Sequence, residues 1–291
     1  MMLLKRLLVL FSLFLILFSC VKNNPDPSWL EVNEWTLLEN SESLYEHGVL
    51  THNFTDAWVF VDGEIVGVFE VPFKIPILKS GNCNIKIYPT IRNNGISSTK
   101  KIYPFVDVFE VDAELKQNET LTLDPTTKYS SNSYCWIEDF EDASIKMEND
   151  PNSLASISTE SNPEILQYGN FYGAIHLTEQ DSIWVGYTNG QLILPKKGAE
   201  VYLEVDYHNT NSLITGVLAV EPDKTSPNPN IQLNKQNVET AEWKKIYIEL
   251  KEIVSYYVNA GYYEISFQAL LESGMTTSDI YIDNIKVVYR Q

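Results

Sequence analysis

The chain has 291 residues, with 21 lysines and arginines against 39 aspartates and glutamates, and a formal net charge of −18 at pH 7. This balance excludes a nucleic-acid-binding protein, which needs a basic surface to displace counterions from phosphates, and it excludes binding to anionic lipid head groups. The hydrophobic fraction of 44% is ordinary for a folded chain, and the length is enough for two medium-sized cores.

The first residues have the pattern of a secretory signal. Lys5 and Arg6 precede an apolar run over 7–18, and the small Ser19 stands directly before Cys20. A charged start, a short apolar run and a small residue before the cleavage point describe a signal peptide. The run is shorter than the roughly 20 residues of a membrane-spanning helix. We therefore predict a signal peptide over 1–19 and a polar tether over 20–29.

The segment Leu17-Phe18-Ser19-Cys20 resembles the lipobox of bacterial lipoproteins. The resemblance implies a diacylglyceryl thioether on Cys20 and a third, palmitate-type chain on its amino group, which together anchor a protein permanently. It places the protein in the outer membrane of a bacterium. The segment after Cys20 has its first acid only at Asp26, which leaves the periplasmic and cell-surface faces both open. A chance cysteine after an ordinary cleavage point is the alternative.

The first block of the mature chain, 30–124, consists of short alternating segments separated by turn residues. Its clearest signal is Asp62-Gly63 between the apolar runs 56–61 and 65–71, because Asp-Gly between such runs is typical of a tight hairpin. About seven short strands at this spacing predict an antiparallel β-sandwich. Residues 125–134 are rich in Thr, Ser and Asn and are predicted to be a linker.

The second block, 135–291, has its clearest strands at 172–178, 183–187, 200–208, 213–221, 245–250, 263–271 and 280–289. In the segment 200–208, Val201, Leu203, Val205 and Tyr207 alternate with Glu200, Glu204, Asp206 and His208. This alternation predicts a half-buried strand whose polar face meets water. A helical turn and a short loop are both compatible with 251–260. The overall prediction is an all-β chain of two β-sandwich domains.

Two resemblances refine that prediction. Phe140-Glu141, the strand 202–207, the segment 243–247 and the closing segment 280–287 resemble a galactose-binding-like jelly roll, the architecture of many carbohydrate-binding modules. The segments 56–63 and 93–96 resemble an immunoglobulin-like domain of Bacteroidota lipoproteins. The resemblances imply an immunoglobulin-like domain followed by a jelly roll.

The sequence does not indicate catalysis. It contains no Gly-x-Ser-x-Gly motif, and His47, His52, His176 and His208 have no metal-ligand spacing. Acidic pairs are expected by chance among 39 acids, so a glycosidase pair cannot be recognised from the sequence. We interpret the protein as non-catalytic.

A structural calcium ion is one prediction for the acids. In calcium-binding jelly rolls, a carboxylate near the first strand meets an aspartate of the last strand, and Glu141 and Asp283 occupy those places. Calcium prefers such oxygen ligands. The alternative is that Asp283-Asn284 makes ordinary backbone hydrogen bonds at a strand edge.

Glycan binding requires exposed aromatic rings on a sheet face. Tyr172, Trp184, Tyr187 and Tyr207 are the candidates, although aromatic residues that alternate along a sandwich strand also form cores. Asp181-Ser182-Ile183 resembles the O-glycosylation motif of exported Bacteroidota proteins, which makes Ser182 a candidate acceptor. An exported compartment permits a disulfide between Cys83 and Cys135, but nothing in their spacing requires one, and two free thiols are the alternative.

Two functions remain open from the sequence. The leading hypothesis is a non-catalytic interaction module, an accessory subunit of an outer-membrane complex for protein assembly, secretion or uptake. The alternative is a surface glycan-binding lipoprotein of a polysaccharide-utilisation system.

Overall fold

The computed structural model describes residues 26–290, so the predicted signal peptide and the lipid site at Cys20 lie outside the described residues. Between residues 26 and 290 the chain forms 21 strands and one short helix, α1 (Lys251–Tyr256). The all-β prediction is confirmed. Over the same range, no helix is both long and apolar enough to cross a bilayer.

The N-terminal half contains ten strands: β1 (Ser28–Val32), β2 (Thr36–Leu38), β3 (Asp56–Val61), β4 (Glu64–Glu70), β5 (Phe73–Ile77), β6 (Gly81–Arg92), β7 (Lys100–Ile102), β8 (Phe109–Leu115), β9 (Thr120–Leu123) and β10 (Thr126–Lys128). One sheet has the order β5-β1-β9, and a second has the order β4-β3-β6-β7 with β8 also paired to β6. The short strands β2 and β10 form a parallel pair. Leu30, Val59, Ile85 and Phe105 belong to the core of this half.

The predicted hairpin is confirmed. Strands β3 and β4 pair antiparallel from Asp56↔Glu70 to Val61↔Glu64. Asp62 and Gly63 form the turn with φ angles of 49° and 81°. Two consecutive positive φ angles match the right-handed twist of the strands, which is why Asp-Gly is favoured here.

The C-terminal half contains eleven strands: β11 (Ser133–Glu138), β12 (Met147–Asn149), β13 (Ile157–Glu160), β14 (Tyr172–Thr178), β15 (Ile183–Thr188), β16 (Val201–Asn209), β17 (Leu213–Val220), β18 (Thr225–Leu233), β19 (Lys244–Glu249), β20 (Tyr262–Leu270) and β21 (Thr277–Arg290). Six of them form a sheet with the order β13-β14-β21-β16-β19, in which β11 also pairs with β21. The other five form a sheet with the order β12-β15-β20-β17-β18. The inner faces of the two sheets enclose one core that includes Trp184, Leu203, Phe267 and Ile282, so this half is a β-sandwich.

Helix α1 and the segment between the halves complete the chain. Helix α1 realises the helical turn that the sequence left open over 251–260. The predicted linker over 125–134 contains β10 and the start of β11, so both of its ends are held in sheets.

The N-terminal half covers the outer face of the six-stranded sheet around β16, β19 and the end of β21. Tyr202, Tyr247 and Val288 project from this sheet into the N-terminal core. Between them lies a buried cluster of charges. Glu204 accepts hydrogen bonds from the hydroxyls of Tyr103 and Tyr129, and the ammonium of Lys245 lies 3.1 Å from Glu204 Oε2.

This covered face corrects one sequence prediction. Glu204 and Asp206 alternate with core residues as predicted, but their side chains face the N-terminal half instead of water, and they are 0% and 4% exposed. Asp206 lies 3.5 Å from the Lys245 ammonium and accepts a 2.7 Å hydrogen bond from the Thr51 hydroxyl. The alternation located the outer face, but it could not show that protein covers that face.

Candidate functional site

The outer face of the five-stranded sheet carries the best candidate site. Because side chains alternate along a strand, β20 directs Tyr263, Ile265 and Phe267 into the core. It directs Glu264, Ser266 and Gln268 outward, where all three are half-buried. We call this outward surface of β15, β20 and β17 the open face.

Strand register brings polar and apolar side chains together on the open face. One row across the sheet places Tyr187 opposite Ser266 and Ser266 opposite Gly216. The next row places Val185 opposite Gln268 and Gln268 opposite Ile214. The result is an apolar floor, formed by two aliphatic side chains and one aromatic ring, with a hydroxyl and an amide group between them.

The polar groups of this floor are free to bind a ligand. In the described part of the chain, the side chains of Glu264, Ser266 and Gln268 make no hydrogen bond or ion pair. Half-exposed polar groups without protein partners are hydrogen-bonded to water, which a ligand can displace. Hydroxyl-rich ligands provide both donors and acceptors for such groups.

Gly216 keeps the centre of the floor flat. A Cβ atom at this position would lie 2.7 Å from the carbonyl oxygen of Asn228 and 2.7 Å from Ser266 Oγ. No larger residue fits without moving the neighbouring strand β18 or Ser266. The absence of a side chain at Gly216 therefore lets Ser266 and strand β18 pack closely against strand β17.

Tyr187 is held in place at one side of the floor. Its hydroxyl donates a 3.2 Å hydrogen bond to Asp150 Oδ2, and burial together with the Asp150 carboxylate raises the pKa of Tyr187. The ring is therefore neutral and oriented at physiological pH. An oriented aromatic ring at a half-exposed position is suited to stacking against the C–H face of a ligand ring.

The open face also carries an acidic pair. Burial, and then the charge of Glu148, raise the pKa of Glu264. Glu148 lies in the same row as Tyr187, on strand β12. Burial and a nearby like charge both disfavour the ionised form of a carboxylate, so the Glu264 carboxylate is less favourably solvated than an isolated glutamate.

The four residues predicted to bind glycans do not form one platform. Trp184 is 0% exposed, with its indole packed in the sandwich core and its Nε1 donating to Asn149. Tyr172 is 1% exposed and packs against Tyr281 in a cluster outside the six-stranded sheet. The predictions for Trp184 and Tyr172 are therefore wrong. Tyr187 lies on the open face, and Tyr207 lines a cleft at the opposite sheet.

The predicted calcium ligands are close enough to interact electrostatically. Burial raises the pKa of Asp283 to about 8, and the charges of Asp206, Asp139 and Glu141 act in the same direction. Both oxygens of Glu141 accept hydrogen bonds from the segment at Asn170 and Phe171. Within residues 26–290, no three His, Cys, Asp or Glu side chains are grouped to hold a metal ion, so the calcium site stays a prediction.

The remaining predicted site residues are the two cysteines and Ser182. Cys83 and Cys135 are free thiols, which agrees with the second of the two possibilities left open by the sequence. Cys83 lies in the N-terminal core, and its thiol contacts the carbonyl oxygen of Ala113. Ser182 directly precedes β15 and is half-buried; its glycosylation stays a prediction.

Sequence reasoning missed Glu264, Ser266, Gln268 and Gly216. The signal was present in the segment 262–270, where polar residues alternate with core residues. That alternation resembles the one at Glu204 and Asp206 and does not by itself show which face is open.

Comparisons with known proteins add little to this geometry. No protein-family model matches the chain, and no curated protein matches it either. A xylan-binding domain from CBM 22 is 9% identical over 53% of this chain and 94% of its own, with a TM-score of 0.38. A structure of carbohydrate-binding modules from the β-sandwich superfamily is 16% identical over 80% of this chain and 84% of its own, with a TM-score of 0.38.

A third similar structure is the K1 cleaved adhesin domain of Lys-gingipain from Porphyromonas gingivalis. It is 14% identical over 54% of this chain and 99% of its own, with a TM-score of 0.37. All three scores lie below 0.5, so these likenesses carry no argument about what this chain binds. The fold follows from its own strands, and the site from its own side chains.

Proposed function

We propose that this protein is a non-catalytic glycan-binding lipoprotein, held at the bacterial outer membrane by a lipid on Cys20, which binds a sugar chain on the open face. One observation carries the proposal: the side chains of Glu264, Ser266 and Gln268 have no partner among residues 26–290 and lie within an apolar floor beside the oriented ring of Tyr187. Sugars present C–H faces and hydroxyls together, which this mixture of groups matches.

Titration of the purified protein with neutral oligosaccharides tests the proposal. We expect saturable binding to at least one of xylohexaose, cellohexaose and mannohexaose. Tyr187→Ala should abolish it, and Gln268→Ala should weaken it about tenfold, because each removes one contact group. Tyr88→Ala is the matched control, since Tyr88 is a half-buried strand tyrosine of the N-terminal half. Binding that survives Tyr187→Ala, or a panel without any binding, contradicts the proposal.

A second candidate function has its own observation. At one end of the open face, Ile183 and Leu270 pair across the strands and are 37% and 63% exposed. Leu154, bonded through its backbone to Ile183, is 56% exposed. An exposed apolar patch of this kind suits a protein partner, as an accessory subunit of an outer-membrane complex would require.

The patch can be tested separately from glycan binding. Leu270→Glu should release a membrane partner recovered by cross-linking in cells, while leaving oligosaccharide affinity within about twofold. The same cross-linked species in the variant would count against a partner at this patch.

A further inference from the structure

A second concave surface lies where the two halves meet. Two adjoining clefts of about 490 and 670 Å³ share Gly95, Tyr207, Glu242 and Lys244 among their lining residues. Ligand sites in proteins have volumes of this order. We call the two clefts together the junction groove. Gly95 comes from the N-terminal half, whereas the other four shared residues, which include Ile246, come from the C-terminal half, so neither half forms the groove alone.

Two amide side chains in the junction groove are fixed at one end and free at the other. The Nδ2 of Asn53 donates a 3.0 Å hydrogen bond to the carbonyl oxygen of Lys245. The Oδ1 of Asn94 accepts a 2.8 Å hydrogen bond from the backbone N–H of Glu249. Among the described residues, nothing bonds to Asn53 Oδ1 or to Asn94 Nδ2. One oriented acceptor and one oriented donor are therefore available without loss of side-chain entropy on binding.

Aromatic rings line the same groove. Tyr207 borders both clefts, burial raises its pKa, and its hydroxyl makes no hydrogen bond within residues 26–290. Trp243 is oriented by a 2.7 Å bond from its Nε1 to the carbonyl oxygen of Ile165. Tyr168, 38% exposed, lies at the rim and is a ring that a ligand can reach.

The charges of the groove are already neutralised by the protein. Arg92 pairs with Asp56 and Glu70, and Lys244 lies 3.9 Å from Glu242. Lys245 is bound to Glu204 and Asp206. A site for an anion would keep a free cation, so the chemistry favours an uncharged ligand with many hydroxyls.

From these contacts we infer that the junction groove is a second glycan-binding site, specific for neutral oligosaccharides and formed by both halves of the protein. It goes beyond the proposed function because it lies on the six-stranded sheet, whereas the open face belongs to the five-stranded sheet. A glycan bound there contacts Asn53 and Asn94 of one half and Tyr207 of the other, so its binding couples the halves.

Nuclear magnetic resonance titration of the isotope-labelled protein with xylohexaose, cellohexaose and mannohexaose tests this site. We expect saturable shifts of the Asn94 side-chain amide and of backbone signals near Tyr207. Tyr207→Phe removes only an unbonded hydroxyl, and Asn94→Asp keeps the acceptor for Glu249 while removing the free donor. Each should weaken groove binding about tenfold with an unchanged melting temperature, whereas Tyr187→Ala should not affect it.

The outcomes separate this inference from the proposed function. Shifts confined to Ser266 and Gln268 on the open face overturn the second site and leave the proposed function intact. Shifts confined to the groove support the second site and contradict the open face. Groove shifts that neither Tyr207→Phe nor Asn94→Asp weakens overturn the inference, and an absence of shifts at either surface overturns both.

Discussion

The two outer faces of the C-terminal sandwich have similar alternating sequences but differ in whether other parts of the protein cover them. Strand β16 carries Glu204 and Asp206 outward, and strand β20 carries Glu264, Ser266 and Gln268 outward. The first set is buried against the N-terminal half and fully bonded, while the second is half-exposed and has no partners within residues 26–290. The difference shows that a polar stripe on a strand marks a face and leaves open whether water, protein or ligand covers it.

The sharpest test of this contrast replaces one charge on each face. Lys245→Met leaves Glu204 and Asp206 buried without their cation. Breaking a buried ion pair in this way costs about 3–5 kcal/mol of unfolding free energy. Glu264→Gln on the open face should change stability by less than about 0.5 kcal/mol, because no group in the described part of the chain bonds to that carboxylate. Urea denaturation of both variants measures the difference.

Lys244→Met is the control for the first substitution. Lys244 is the neighbour of Lys245 in sequence, and its side chain is 45% exposed. If Lys244→Met and Lys245→Met lower the unfolding free energy equally, the buried charges do not distinguish the covered face.

A second test concerns Asp283, whose pKa burial raises to about 8 on the covered face. The folded protein keeps a proton there that the unfolded chain releases above its ordinary pKa of 3.8. Stability therefore falls as the pH rises from about 4 to about 8 and is constant above that. Asp283→Asn should raise the unfolding free energy at pH 7 by at most about 4 kcal/mol and flatten the pH dependence, as measured by thermal melts.

The same variant examines the predicted calcium site. A calcium ion held by Glu141 and Asp283 would require the ionised carboxylate. Asp283→Asn would then destabilise the protein in excess calcium, and a chelator would lower the melting temperature of the parent protein. If a chelator leaves that temperature unchanged and Asp283→Asn is stabilising in calcium, the site does not hold the ion.

The smallest expected effect belongs to His176, at the uncovered end of the six-stranded sheet. Burial lowers its pKa, but hydrogen bonds to Asp279 and Glu160 outweigh burial and raise the pKa above 6.5. The ion pairs of protonated His176 therefore stabilise the folded protein fully below pH 6.5, and this contribution is lost as the pH rises through the raised pKa. Because the imidazole is half-exposed, we expect His176→Gln to cost about 0.5 kcal/mol at about pH 5.5 and nearly nothing at about pH 9. A cost that grows with pH would contradict this assignment.

Many of the strands could be predicted because core residues alternate with outward residues along them. The segment 172–178 coincides with β14, and most other predicted strands of the C-terminal half agree within a few residues. The Asp62-Gly63 turn was recognisable because few residues adopt two positive φ angles. Strand β18 could not be predicted, since Pro227 and Pro229 argue against a strand and are accommodated at the sheet edge.

The candidate site was less predictable for a different reason. Trp184 and Tyr187 alternate on the same strand, so only the position of the core decides which ring faces a ligand. Sequence spacing correctly suggested Tyr187 as a surface ring but gave Trp184 equal weight. Glu204 is bonded by residues far away in the chain, whereas no residue of the described chain bonds to the Gln268 side chain. No local sequence pattern encodes this difference.

Strand β21 has a consequence for the order in which this protein is made. It lies at the centre of the six-stranded sheet, where it pairs with β14, β16 and β11, and it carries Lys286 and Val288 toward the other half. During synthesis or export, β11, β14 and β16 lack the strand that pairs with all three of them until Thr277–Arg290 has emerged. Closure of long-range β contacts is slow, so the C-terminal half must remain protected from aggregation until its last strand arrives.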